Sequence, residues 1–198
     1  KHFNGTGSNQ PVSISQDNAG NYYVYGNFKN QVTQDAFTLN SYNGSQDIFL
    51  AKYNPLGEVQ WLKQIGGTGV ETAYSLCFNS DYSSFYITGN FNNTCNIEGT
   101  YLNTAGGLDV FMAKFSADGT LNWAKNVAYG TYNQIANGMC IDTDGNIVIV
   151  GVFLNYISFY GGVYTLTSPN PSVRQNFIAK FNSSGTPLWS KMIEGDNA

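Results

Sequence analysis

A fifteen-residue stretch written three times constrains this chain more than anything else in it. "DIFLAKYNPLGEVQW" (Asp47–Trp61) returns as "DVFMAKFSADGTLNW" (Asp109–Trp123) and as "QNFIAKFNSSGTPLW" (Gln175–Trp189). Lys52, Lys114 and Lys180 stand 62 and 66 residues apart, and the three tryptophans keep those intervals. A second motif shares the period: "GNYYVYGNF", "SSFYITGNF" and "GNIVIVGVF", centred on Gly26, Gly89 and Gly151. Four extra residues in the third copy fall between Gly151 and Lys180, where "SPNPSVR" supplies two prolines, so they form a loop insertion. A fixed period of this length marks a repeat architecture, one supersecondary unit made several times.

Each copy reads as short strands divided by turns. The first strand is "SISQD", "SLCFN" or "GMCID", and a Gly/Asn/Ser turn leads to "YYVYG", "FYITG" or "IVIVG". A variable stretch follows, closing on "FTLN", "TYLN" or "YTLT"; then come the "IFLAKY" strand, a glycine turn at Gly57, Gly119 or Gly185, and a last strand holding Trp. No segment sustains a 3.6-residue apolar period, so helix is minor.

The "IFLAKY" strand fixes the packing. Side chains alternate sides along a strand, so Phe49, Ala51 and Tyr53 share one face, while Ile48, Leu50 and Lys52 share the other. A strand apolar on both faces must be covered on both. With a sheet repeat of this size, that predicts an all-β protein: a β-propeller segment of three consecutive blades with four or five strands each, spaced 62 to 66 residues. The approximate repeats are 1–62, 63–124 and 125–190, with 191–198 continuing the last strand, all within a single domain. A linear stack or β-solenoid is the second choice, although its repeats are usually shorter.

These residues resemble the bacterial β-propeller repeat of the SBBP type. That repeat pairs "D-x-x-G-N-x-Y-V-x-G-x-F" with "D-x-F-x-A-K-x-x-x-x-G-x-x-x-W". The first half is visible at Asp17–Phe28 and Asp142–Phe153 and degraded at Asn79–Phe91. The second fits at Asp47–Trp61 and Asp109–Trp123, with Gln175 in place of Asp in the third copy. The segment before it, as in Phe37-Thr38-Leu39, is similar to versions in surface proteins of Bacteroidetes. The resemblance covers nearly the whole chain and implies a propeller within a large secreted or cell-surface protein. It implies no reaction, since propellers host many functions.

The phase of the repeat adds a further expectation. Lys63, Lys125 and Lys191 each follow Trp by two residues, and "KHFNGTG" at Lys1 parallels "KQIGGTG" at Lys63. The chain therefore opens inside a blade's last strand, which reads as processed or cut from something longer. Three blades are fewer than the roughly four to eight of a closed ring. Neighbours are expected: further blades of a parent chain, or other subunits closing a ring.

Composition narrows the function. Charged residues are 11% of the chain, against ~25% in an average soluble domain. Net charge is −4 with a single arginine, Arg174, so a phosphate-tracking, nucleic-acid-binding surface is not expected. No apolar stretch approaches the roughly 20 residues that span a bilayer, so direct membrane insertion is not expected either. Three cysteines, Cys77, Cys95 and Cys140, have no CxxC spacing; they read as buried free thiols, with a Cys77–Cys140 bridge as the alternative.

Candidate chemistry is sparse. Seven of eight lysines occupy two repeated positions, which makes them framework, each stem lying along apolar neighbours. Asp47 and Asp109 could pair with those lysines only between strands, because five residues separate each Asp and Lys in one strand. "DTDGN" at Asp142–Asn146 hints at calcium, but no further acidic ligand follows, so it reads as a hairpin turn. The single histidine is His2, which leaves no His-based triad or metal site. Sequons at Asn4, Asn43, Asn92 and Asn182 carry no weight in a chain this rich in Asn, Ser and Thr. No catalytic, cofactor or metal residue is assigned. Recognition is placed in the variable stretches Lys29–Gln46, Asn92–Leu108 and Leu154–Arg174, where Tyr42, Tyr101, Tyr156, Tyr160 and Tyr164 could contact sugars or protein or simply cover the blade edge. The expectation is a non-enzymatic extracellular interaction, adhesion or spacer module. A carbohydrate-binding propeller that takes surface glycans comes second, and a non-catalytic part of a polysaccharide-active enzyme third.

Overall fold

A computed structural model describes residues 6–193. Lys1, His2 and the Asn4 sequon lie outside them. The chain forms three antiparallel units in sequence order. The first holds β1 (Asn9–Gln16), β2 (Tyr22–Lys29), β3 (Gln31–Gln34), β4 (Phe37–Asn40), β5 (Gln46–Tyr53) and β6 (Val59–Gly67). The second holds β7 (Glu71–Phe78), β8 (Ser84–Phe91), β9 (Thr94–Ile97), β10 (Thr100–Asn103), β11 (Asp109–Ser116) and β12 (Leu121–Tyr129). The third holds β13 (Gln134–Ile141), β14 (Ile147–Leu154), β15 (Tyr156–Phe159), β16 (Thr165–Thr167), β17 (Arg174–Phe181) and β18 (Pro187–Ile193). Helix among the described residues is limited to two 3-10 turns, Tyr42–Gly44 and Tyr160–Gly162.

In each unit four strands form a meander, β1-β2-β5-β6, β7-β8-β11-β12 or β13-β14-β17-β18. The first strand carries an irregularity at the same place each time, Pro11/Ser13, Ala73/Ser75 and Ala136/Gly138. The meander has four strands, not five. The variable stretch is where sequence and structure differ most. It is a short hairpin (β3-β4, β9-β10, β15-β16); in the second and third units its first strand joins the last strand of the preceding unit, while β3 and β4 pair only with each other among the described residues. Ile97, Asn96 and Cys95 of β9 lie opposite Ile65, Gly66 and Gly67 of β6. Phe159 and Ser158 of β15 lie opposite Ala128 and Tyr129 of β12. The second and third hairpins are thus clasps between units, and β4, β10 and β16 fall in the "FTLN", "TYLN" and "YTLT" segments.

The units pack face to face as the alternation in "IFLAKY" predicts. Tyr23, Tyr25, Ile48 and Leu50 of the first unit bury against Phe85, Ile87, Phe111 and Phe115 of the second. Tyr86, Val110 and Met112, on the second unit's other face, bury against Ile147, Ile149, Phe177 and Phe181. On the second unit's side of the first contact Phe85 and Phe115 stack with ring planes nearly parallel, 5.4 Å between centroids. The outermost faces lack such cover. Ile14 is 66% exposed where its counterpart Leu76 is 5% exposed, and Val150 is 39% exposed where Tyr25 is fully buried.

Two sets of glycines explain their recurrence. A Cβ on Gly26, Gly89 or Gly151 would meet the neighbouring first-strand backbone and stand 2.8 Å from the Cζ of Phe49, Phe111 or Phe177. Only hydrogen fits between that backbone and the ring. Gly119 and Gly185 adopt φ of +93° and +76°, and their turns lie on the tryptophan of the preceding unit: a Cβ would sit 2.9 Å from Trp61 or Trp123. The repeated Gly and Trp therefore meet between units rather than within one.

Candidate functional site: the seams between units

Many of the groups singled out in the sequence lie along two seams, between units one and two and between units two and three. Asp47 and Asp109, both fully buried, open β5 and β11. Asp47 accepts from the Tyr42 amide (3.0 Å), the Ser45 hydroxyl (2.9 Å) and the Gln64 side-chain amide (2.6 Å). Asp109 accepts from the Ala105 amide (2.9 Å), the Asn126 side chain (2.8 Å) and the Gly130 amide (3.4 Å). Each carboxylate ties the hairpin's return loop to the unit's last strand. Burial raises both pKa values above the ordinary carboxylate range, and these donors offset part of the shift. Neither meets a lysine.

Three of the lysines, Lys52, Lys63 and Lys125, reach across the seams instead, while Lys180 pairs within its own unit. Lys52 donates to the Ala117 carbonyl (3.0 Å), and Lys125 to the Ser184 carbonyl (2.7 Å). Lys63 pairs with Glu98 of the next unit at 2.6 Å, its ammonium 5.9 Å from the Trp61 ring centre. Lys180 pairs with Asp142 at 2.6 Å, and that ammonium holds the Asp142 carboxyl down to about 2. Asp142 also accepts from the Asp144 and Asn146 amides, so "DTDGN" closes a turn on its own groups. Among the described residues no group of three or more His, Cys, Asp or Glu is arranged to hold a metal.

Three seam residues went unnoticed in the sequence. Asn27 accepts from the Ala73 amide of the next unit at 2.8 Å. Asn90 accepts likewise from Ala136 (3.2 Å) and donates to the carbonyls of Asp109 (3.0 Å) and Gln134. A buried backbone group left unpaired is costly, so each Asn satisfies the irregular first strand beside it. The available signal was an Asn inside an apolar strand, "YGNF" and "TGNF". Glu71 is the third. It is fully buried at the start of β7, with Oε2 accepting from the Gly67 amide at 3.2 Å and Oε1 without a partner. Burial first, and then Asp47, push it up to about 8. Its counterpart in the third unit is Gln134, also fully buried.

The cysteines depart from the sequence expectation in part. All three are free thiols; Cys95 is buried and Cys77 half-buried, but Cys140 is exposed. Cys140 lies on β13, whose outward side has no neighbour among the described residues. Cys77 donates to the Met139 carbonyl at 3.1 Å, which places it beside Cys140 without a bridge.

The tyrosines divide. Tyr101 is 66% exposed and Tyr160 is 40% exposed. Together with Tyr129, Asn103, Asn126 and Lys125 they line an open cleft of about 600 Å³ between the second hairpin and the third. Lys125 stands 4.6 Å from the centre of the Tyr160 ring, and Asn126 Oδ1 has no partner. Tyr164 instead donates to the Leu188 carbonyl at 2.6 Å, covering its own unit's edge, and Tyr42 opens the 3-10 turn after the first hairpin.

Repeated four-stranded antiparallel sheets packed face to face make this an all-β repeat protein, with sheets consistent with propeller blades. Comparison with known proteins points the same way. The chain is similar to an uncharacterized WD repeat-containing protein of Acanthamoeba polyphaga mimivirus, 27% identical over 190 residues. That alignment covers 80% of this chain and 13% of the relative, so the chain spans a small part of the relative's length. The likeness supports a β-propeller-type repeat. No family model matches the chain.

Proposed function

We propose that the chain is a run of SBBP-type β-propeller blades serving as a non-enzymatic interaction scaffold or spacer in a larger secreted or cell-surface protein. The observation that carries this reading is the use made of the repeated polar residues. Asn27, Asn90, Lys52 and Lys125 spend hydrogen bonds on joining one unit to the next, and Asp47 and Asp109 spend theirs on tying the variable hairpin's return loop to the last strand of their own unit. Residues so engaged hold a platform together. The open outermost faces, with Ile14 and Val150 exposed, suit further blades of the same kind. Sedimentation velocity tests this: the isolated chain self-associates as concentration rises, and a well-folded 21.6 kDa monomer at ~100 µM refutes the reading.

A second reading rests on the tyrosine cleft. Exposed aromatic rings beside amide side chains on a rigid scaffold suit sugar recognition, and Tyr101, Tyr160 and Asn126 present that set. A glycan array decides: binding abolished by Tyr101→Ala and Tyr160→Ala supports a lectin, and an array without a signal removes this reading.

A further inference from the structure

The two seams carry the same lysine in unlike surroundings. At the first seam Lys52 bonds the Ala117 carbonyl, and two carboxyls stand near enough to feel its charge, Asp17 in its own unit and Asp118 in the next unit's turn. Hydrogen bonds from Asn21 against the cost of burial, and from Thr120, are the larger reasons that their pKa values are lowered, with Lys52 adding to both. In the third unit the equivalent Lys180 is paired with Asp142. At the second seam the lysine remains as Lys114, but both acids are gone. Asn79 stands where Asp17 and Asp142 stand, and Ser184 where Asp118 stands. Asn79 is fully engaged within its own turn, accepting from the Ser84 amide (3.0 Å) and donating to the Ser83 hydroxyl (3.1 Å). Asp81 in the same turn accepts from the Ser83 amide. Among the described residues Lys114 has no carboxylate in salt-bridge range and no hydrogen bond; its ammonium rests 5.3 Å from the centre of the Tyr86 ring.

The seam beside Lys114 is open. A polar cleft of about 550 Å³ lies between the second and third units, lined by Lys114, Trp123 and serines from both sides. Ser84, only 5% exposed, lines it with a hydroxyl that has no hydrogen-bond partner. Lys125, at the same seam, is committed to the Ser184 carbonyl and stands over Trp123, so Lys114 alone is left to supply positive charge. One free ammonium, a partnerless buried hydroxyl, further hydroxyls and an indole wall form a set of complementary chemistry. The ammonium suits a monoanion, the serines suit hydroxyls, and the indole suits the apolar face of a ring.

We infer that the cleft around Lys114 binds a carboxylate carried on a sugar ring, as in a uronic acid, in the role that Asp142 plays for Lys180. This site is distinct from the tyrosine cleft and does not depend on a lectin reading of it.

The whole chain, labelled with ¹⁵N, is titrated with D-glucuronate, and with D-glucose and acetate as controls. Glucuronate shifts the amides of Ser84 and Ser184 with a Kd on the order of 1 mM, while glucose and acetate bind at least tenfold more weakly. Lys114→Met weakens glucuronate at least tenfold. Asn79→Asp is the sharper variant: it restores the acid of the other two units, pairs Lys114 internally and abolishes binding while its melting temperature stays at or above the parent's. Failure of glucuronate to bind at 50 mM overturns the inference. So does acetate binding as tightly as glucuronate, or undiminished affinity in Asn79→Asp.

Discussion

Glu71→Gln should make the protein more stable, and more so as pH rises. Glu71 is fully buried, Asp47 bears on it electrostatically, and its pKa is pushed from 4.5 up to about 8. A raised carboxyl pKa means that the folded state keeps a proton that the unfolded chain has released. Stability is then fully present below about pH 4.5, falls as pH rises toward about 8, and levels off above that. At about 1.4 kcal/mol per unit, the whole window amounts to at most about 5 kcal/mol, and to about 3 kcal/mol at pH 7. Gln134 shows that an amide fits the same position one unit later, where it donates to the Tyr156 carbonyl at 3.2 Å. Urea unfolding followed by tryptophan fluorescence at pH 5, 7 and 9 reads the effect. With an m-value of about 2 kcal/mol/M, the parent's midpoint should fall by about 2 M between pH 5 and 9. In Glu71→Gln most of that fall disappears, and the two proteins converge at pH 5. Parallel pH profiles for the two would refute the assignment of a buried proton to Glu71.

Two further outcomes follow from packing and exposure. Gly89→Ala drives a methyl into the Phe111 ring and should cost about 1–3 kcal/mol, seen as a drop of several degrees in melting temperature; Gly138→Ala, whose Cβ meets only Val150 at 3.6 Å, should be near neutral, and equal melting temperatures would contradict this. A thiol reagent on the native protein should modify Cys140 first, Cys77 slowly and Cys95 only on unfolding, read by peptide mass; rapid labelling of Cys95 would show that the first seam opens.

The parts of this fold legible in the sequence are those that repeat with a physical reason visible within one copy. The alternation in "IFLAKY" located both covered faces, because strand periodicity needs no knowledge of the partner. The glycine and tryptophan spacing supplied the ruler. What stayed hidden depends on contacts between copies. Trp61 and Gly119 recur together because one lies on the other across a seam, yet they belong to different repeats. The clasps were hidden for the same reason: "TCNI" and "YISF" share little sequence, since what matters is their backbone's reach to the preceding sheet. Cys140 was misplaced because burial on β13 depends on a neighbour that the strand pattern cannot specify. Of the candidate sites, Tyr101 and Tyr160 were named in advance. Glu71 was not, since a lone Glu at a strand start resembles any surface acid.

The clasps also determine how this chain comes apart. Three residues of β9 close onto β6, and two residues of β15 close onto β12. A unit that melts therefore strips its neighbour of an edge as well as a face. Each clasp couples adjacent units in the manner of a one-dimensional chain of interacting segments, where losing one member lowers the stability of the next. Tension along the polypeptide would load these short pairings before the long meanders. The β6–β9 and β12–β15 contacts are then the mechanical fuses of the molecule, and the second, with one residue pair fewer, is the first to give.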